Sequence, residues 1–130
     1  MRDILGAIKQ NSNIHYLYFS VPLFSLTVFL EMVFDNCFHR HLGGAHNHLF
    51  TLDSIDYMCQ EFGFEQIASW QFGTDIMDMY RMVRCSLDMQ GERVKEMFDK
   101  KFLECSESLQ KIIDERDFCS EVHMLVKILH

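Results

Sequence analysis

Residues 39–48 read HRHLGGAHNH, gathering four of the chain's 7 histidines around a glycine pair. Imidazole is the side chain whose unperturbed proton affinity lies nearest neutral pH, and a glycine-rich loop is where a fold presents such a group to a ligand. The same rings ligate divalent metals. His-x-His occurs twice here, at 39/41 and 46/48, and on an extended segment that spacing turns both imidazoles to one side. Against a metal cage, no Asp, Glu or Cys stands at a convincing ligand spacing, and four imidazoles on one loop seldom converge. Proton transfer, metal ligation and a merely crowded connection are thus the three readings of the stretch. His39 reads as a surface or helix-end residue, and His15 and His123, inside strand patterns, as structural.

A loop of this kind acts only if a fold holds it. The 130 residues, 48% hydrophobic and 24% charged, suffice for a single domain over 1–130 and are too apolar for disorder. The formal charge of −7 comes with no Lys/Arg block, so nucleic acid is not expected as a partner, although a local basic pocket is compatible with it. The 5 cysteines stand singly with no C-x-x-C pair, which fits neither a disulfide framework nor a zinc knuckle and points to the reducing cytoplasm. At the start, MRDILGAIK places Asp and Lys in a helical pattern where an export signal would carry an apolar run. The uncharged YLYFSVPLFSLTVFL is shorter than the roughly 20 residues of a membrane span and is interrupted by Pro22, so no membrane association is expected.

The apolar pattern predicts helix, strand, helix, loop, helix, strand, helical pair, strand. Ile4, Leu5 and Ile8 form one helix face. Residues 14–21 lack polar alternation and read as a strand buried on both faces, whose ladder Pro22 ends because it has no N–H to donate. Ser25 caps a short helix to about Phe34. Thr51 caps a second, with Ile55, Met58, Cys59 and Phe62 apolar and Gly63 as the left-handed terminator. Residues 64–72 form a strand with Ala68, Trp70 and Phe72 on one side and Ile67 on the other. Two helices then occupy about 75–113, the first capped by Thr74 and the second running unbroken past Cys105 to Ile112; their Met and Phe stripes read as core. Residues 118–129 close the chain as a strand with Val122, Met124, Val126 and Ile128 on one face. A chain that opens inside a helix, with a first strand needing neighbours on both sides, suggests that part of the fold lies upstream.

Four stretches together carry a resemblance: the apolar strand ending at Val21-Pro22, the loop RHLGGAHNHLFT at 40–51, the helix closed by EFGF at 61–64, and WQFGTD at 70–75. They resemble the C-terminal half of class I S-adenosylmethionine-dependent methyltransferases, over nearly the whole chain. In that family a Gly-Phe turn after an amphipathic helix opens the sixth strand, and the seventh runs back antiparallel between the fifth and sixth. The resemblance implies an α/β fold, a partial Rossmann-like sheet with 14–21, 64–72 and 118–129 as strands five, six and seven, flanking helices, and a helical insertion at about 75–113. The family's glycine-rich cofactor turn and ribose-binding acid lie on its first two strands, and no G-x-G turn exists here; Gly43-Gly44 does not follow a strand. S-adenosylmethionine is therefore implied for the intact enzyme with its site outside this chain, truncated or encoded separately and inactive alone.

Methyl transfer requires the acceptor held in line, water excluded and, for a hydroxyl acceptor, a proton removed. Open α/β sheets place ligands beyond the carboxyl ends of their strands, so the resemblance sets the histidine loop beside the acceptor pocket. His46 and His48 then serve as general base or acceptor ligands, Arg40 binds an anionic acceptor or simply pairs with Asp35 or a helix end, and Asp75 or Tyr80 closes the far side. The expected partners are a small-molecule acceptor and a separate N-terminal half or a second copy. Two other classes stand beside this one: a non-catalytic partner completing another subunit's sheet through the first strand, and a small metal-binding protein using the histidines.

Overall fold

The computed structural model describes residues 1–43 and 46–130. Helix α1 (Arg2–Gln10) leads into strand β1 (Tyr16–Pro22), followed by α2 (Leu26–Val33), a long connection, α3 (Leu52–Phe62), β2 (Phe64–Phe72), α4 (Asp75–Ser86), α5 (Glu92–Leu103), α6 (Ser106–Glu115) and β3 (Glu121–Ile128). The three strands form an α/β architecture's open sheet in the order β1-β3-β2, with β3 antiparallel to both neighbours. The last strand thus lies between the two earlier ones. Because β1 and β2 run the same way, their carboxyl ends meet at one edge of the sheet.

Strand β3 is central and its alternation is complete: Val122, Met124, Val126 and Ile128 are buried on one face. They pack with Leu5 of α1 and with Ile55, Met58 and Cys59 of α3, and full burial of each such side chain contributes about 1.5–3 kcal/mol. Helix α3 begins and ends where its sequence says it should. Thr51 and Ser54 exchange side-chain and backbone hydrogen bonds in a capping box, and Gly63 closes the helix at φ 64°.

Five expectations are corrected. Strand β1 is not buried on both faces: Tyr16, Tyr18 and Ser20 are exposed while Leu17, Phe19 and Val21 turn to the core, since helices cover one side of the sheet among the described residues. Edge position also explains how the strand accommodates Pro22. Ile4 faces solvent, leaving Leu5 and Ile8 to dock α1. Ile67 falls at a β-bulge between Gln66 and Ala68 and has no cross-strand partner. The second of the two helices expected over about 75–113 breaks in two near Cys105, where the Cys105 thiol and the Ser106 hydroxyl donate to the carbonyls of Phe102 and Leu103 and compete with the helical ladder. Neither α5 nor α6 buries a residue fully, so their Met and Phe stripes are not core; Met97 and Ile112 are exposed. No helix among the described residues is long and apolar enough to cross a membrane.

Candidate functional site

A cavity of about 360 Å³ opens where β1 and β2 end and β3 begins. Ser20, Val21 and Pro22 form one wall, Phe72, Gly73 and Thr74 the opposite one, and Ser120 and Glu121 the floor between them. The histidine loop closes the remaining side with Arg40, His41 and His46.

What fixes the loop is Glu31. It is the single charged residue between His15 and Asp35, sits in α2, and is fully buried. Its carboxylate accepts from three consecutive backbone amides: Arg40 at 2.5 Å, His41 at 3.0 and 3.1 Å, and Leu42 at 2.7 Å. Burial alone would favour the neutral acid, but these amides outweigh it and hold the Glu31 carboxyl below its ordinary value. Residues 40–42 therefore have a defined path despite lying outside helix and strand.

Asp75 performs the same service under the opposite wall. It is wholly buried at the start of α4; Oδ1 accepts from the Thr27 amide at 3.1 Å and the Thr27 hydroxyl at 2.7 Å, and Oδ2 from the Ser120 amide at 2.8 Å. Three segments, α2, α4 and the entry to β3, are stapled at one carboxylate. Gly73 is required beside it: a Cβ there would fall on Asp75 Oδ2 and Ser120 Oγ, and 2.7 Å from the Ser120 nitrogen. Thr74 and Arg40 complete the wall, tied together by Asp78 behind them. Arg40 Nη1 donates to both Asp78 oxygens at 3.1 Å and to the Thr74 hydroxyl at 3.1 Å, and Arg81 approaches the same carboxylate at 3.6 Å.

His41 is the enclosed imidazole of the cavity. It is 7% exposed, and among the described residues its Nδ1 meets no hydrogen-bond partner. Burial pushes it below its ordinary value, with the carboxylates of Glu31 and Asp78 opposing that shift only in part, so the ring is neutral at pH 7. The His46 ring stands 5.5 Å away, centroid to centroid, and is exposed at the rim. A neutral imidazole with an unengaged nitrogen in a cavity can accept a proton from, or hydrogen-bond to, a bound hydroxyl. The thiols do not compete for that role: burial raises Cys37, Cys59 and Cys119, the last to about 11.

The structure brings Arg40 and His46 together at the cavity and leaves the other expected site residues elsewhere. His48 is exposed and stands outside the cavity wall, its ring 6.3 Å from that of Phe50. Asp75 lies behind the wall with its oxygens engaged, which makes it a staple rather than a ligand contact. Tyr80 lies on α4 and faces α5: its hydroxyl donates to Asp99 at 2.8 Å, Arg84 grips the same carboxylate, and its ring stacks on Phe98. Arg40 pairs with Asp78 and not with Asp35. The pair Gly43-Gly44 falls partly outside the described residues, Gly44 being one of the two omitted. Sequence reasoning missed Glu31 and His41; the available signal for the first was a lone acid in an apolar run, which must find donors if buried.

Among the described residues no three or more His, Cys, Asp and Glu side chains gather as metal ligands. Gly73, which directly follows a strand, is packed shut by Asp75 and Ser120, so it forms no cradle for a cofactor's backbone-bound end. Comparison with protein-family models, with curated proteins and with solved structures returns no match.

Proposed function

We propose that this chain is the acceptor-side portion of an S-adenosylmethionine-dependent methyltransferase acting on a small molecule. The observation that carries the reading is the position of β3, antiparallel between β1 and β2, with a cavity at their shared carboxyl edge. That is the strand order the family resemblance implies, and the cavity lies where such sheets hold ligands. The residues present do not fit the cofactor itself, and none is assigned to it; a glycine-rich nucleotide-holding half, in the same or another polypeptide, supplies that site. This chain's own contribution is to enclose the acceptor, exclude water and take up a proton at His41, with His46 at the rim and Arg40 fixing the loop against α4.

Mixing the purified chain with a glycine-rich N-terminal half and methyl-labelled S-adenosylmethionine, across a panel of small acceptors, tests the reading. Label is expected in an acceptor only when both halves are present, and His41→Gln should lower the rate by about 10²-fold or more. Absence of transfer from a mixture that does form the joint sheet would sink the proposal.

One observation favours a second reading. β1 is an edge strand, and beside it Tyr16, Tyr18 and Trp70 expose an uncovered sheet face, as expected of a chain that completes another subunit's sheet without catalysing anything. A labelled joint sheet with no acceptor turnover is its signature.

A further inference from the structure

We infer that the cavity selects a hydroxyl-rich small molecule carrying no carboxylate or phosphate, because the protein's own carboxylates already balance the groups that would attract an anion. The inference rests on the reading of this cavity as the acceptor site. It departs from the sequence expectation that Arg40 receives an anionic acceptor.

Three kinds of group ordinarily capture an anion: a guanidinium, a run of consecutive backbone amides, and the amino end of a helix. All three border this cavity, and each already faces a carboxylate of the protein. Arg40 Nη1 is engaged by both oxygens of Asp78, which balances the guanidinium's charge. The amides of residues 40–42 converge on Glu31. The amino end of α4 carries Asp75 and Asp78 in its first turn, and Asp75 also takes the nearby Ser120 amide. Glu121 adds a further carboxylate to the lining, 42% exposed, its Oε1 lying 3.1 Å from His123 Nε2 without hydrogen-bond alignment. An incoming anion would meet the Glu121 carboxylate and a guanidinium whose charge Asp78 already balances.

The polar groups left for a ligand are uncharged. His41 and His46 offer imidazole nitrogens, and Ser20 and Ser120 offer hydroxyls, all lining the cavity. Each can donate or accept, which matches hydroxyls and wastes nothing on a formal charge. Phe72, 42% exposed, supplies a flat apolar wall beside them. At about 360 Å³ the space falls at the small end of the range for small-molecule sites, roughly 300–1,000 Å³, and so suits a compound of one or two rings.

The test is an amide NMR titration of the full chain with methyl glucoside and, separately, with methyl glucuronide, which has the same ring with a carboxylate. The glucoside should perturb the amides of His41, Gly73 and Ser120, and the glucuronide should bind at least about tenfold more weakly. Asp78→Asn, which frees Arg40, should shrink that gap to about threefold or less; if the variant does not fold, the unmodified pair still decides. Equal or tighter binding of the glucuronide overturns the inference, as does failure of the glucoside to bind by about 50 mM. No methyl donor enters this titration, so the outcome is separable from the transferase reading. Label transfer to anionic acceptors would refute the selectivity and leave that reading standing, and neutral preference without any transfer would do the reverse.

Discussion

The layer where α3 covers the sheet and the corner where α2, α4 and the histidine loop meet solve the same positioning problem with opposite chemistry. In the layer, Ile55, Met58, Val122 and Val126 are buried with no polar atom among their side chains. In the corner, Glu31 and Asp75 are just as buried, and both are acidic side chains whose oxygens accept from backbone amides. Regular elements satisfy their own backbone, so apolar contact suffices to join them; a loop has unpaired amides that must be met by something, and here a carboxylate meets them. The corner is held by a few directional bonds, the layer by many weak contacts, and the two should fail differently.

The largest effect expected is from Asp75→Ala compared with Ile55→Ala. Each should cost on the order of 3 kcal/mol in chemical denaturation, the first by leaving the Thr27 and Ser120 amides unpaired and the second by opening a cavity. Hydrogen exchange distinguishes them: the alanine at 75 should deprotect the cavity wall while α3 amides stay slow, and the alanine at 55 should lower protection across the sheet. Identical exchange maps would erase the contrast drawn above.

A smaller effect comes from acid, and it belongs to the corner alone. His41 faces Glu31, Asp78, His46 and Arg40, and its folded proton affinity lies below the ordinary 6.5; the unfolded chain therefore takes up a proton first. Stability is complete above about pH 6.5 and declines as pH falls through the folded value. Glu31, lowered from 4.5, behaves with the same sign in a lower window: its contribution is present above the unfolded value and is lost as pH falls through the folded one. Denaturation midpoints measured against pH should show both phases, with His41→Gln removing the upper and Glu31→Gln the lower. Smallest of all, Thr51→Ala should cost about 1 kcal/mol through its cap on α3 and leave the cavity's ligand affinity unchanged, as a thermal melt and a binding titration would reveal.

The same contrast governs what could be read from residues alone. The α3 helix was legible because its determinants are local: Thr51, the spacing of Ile55, Met58 and Cys59, and Gly63 lie within one short stretch. The β3 strand was legible from its period of two. Partners distant in sequence were not. Nothing near Glu31 announces the amides of 40–42, nothing near Asp75 announces Thr27 and Ser120, and the role of His41 depends on both. The break at Cys105 was hidden because a thiol and a hydroxyl mid-pattern look like ordinary helix positions, and the exposed side of β1 because tyrosine suits buried and solvated strand faces alike.

On that open side of the sheet, Trp70 is stacked in a row with His123 and Phe72, beside Tyr18. It is the chain's 1 tryptophan, and it is 46% exposed. The molecule thus carries an intrinsic fluorophore on an uncovered sheet face: any partner that settled there would strip water from the indole and shift its emission toward the blue, reporting assembly with no dye attached.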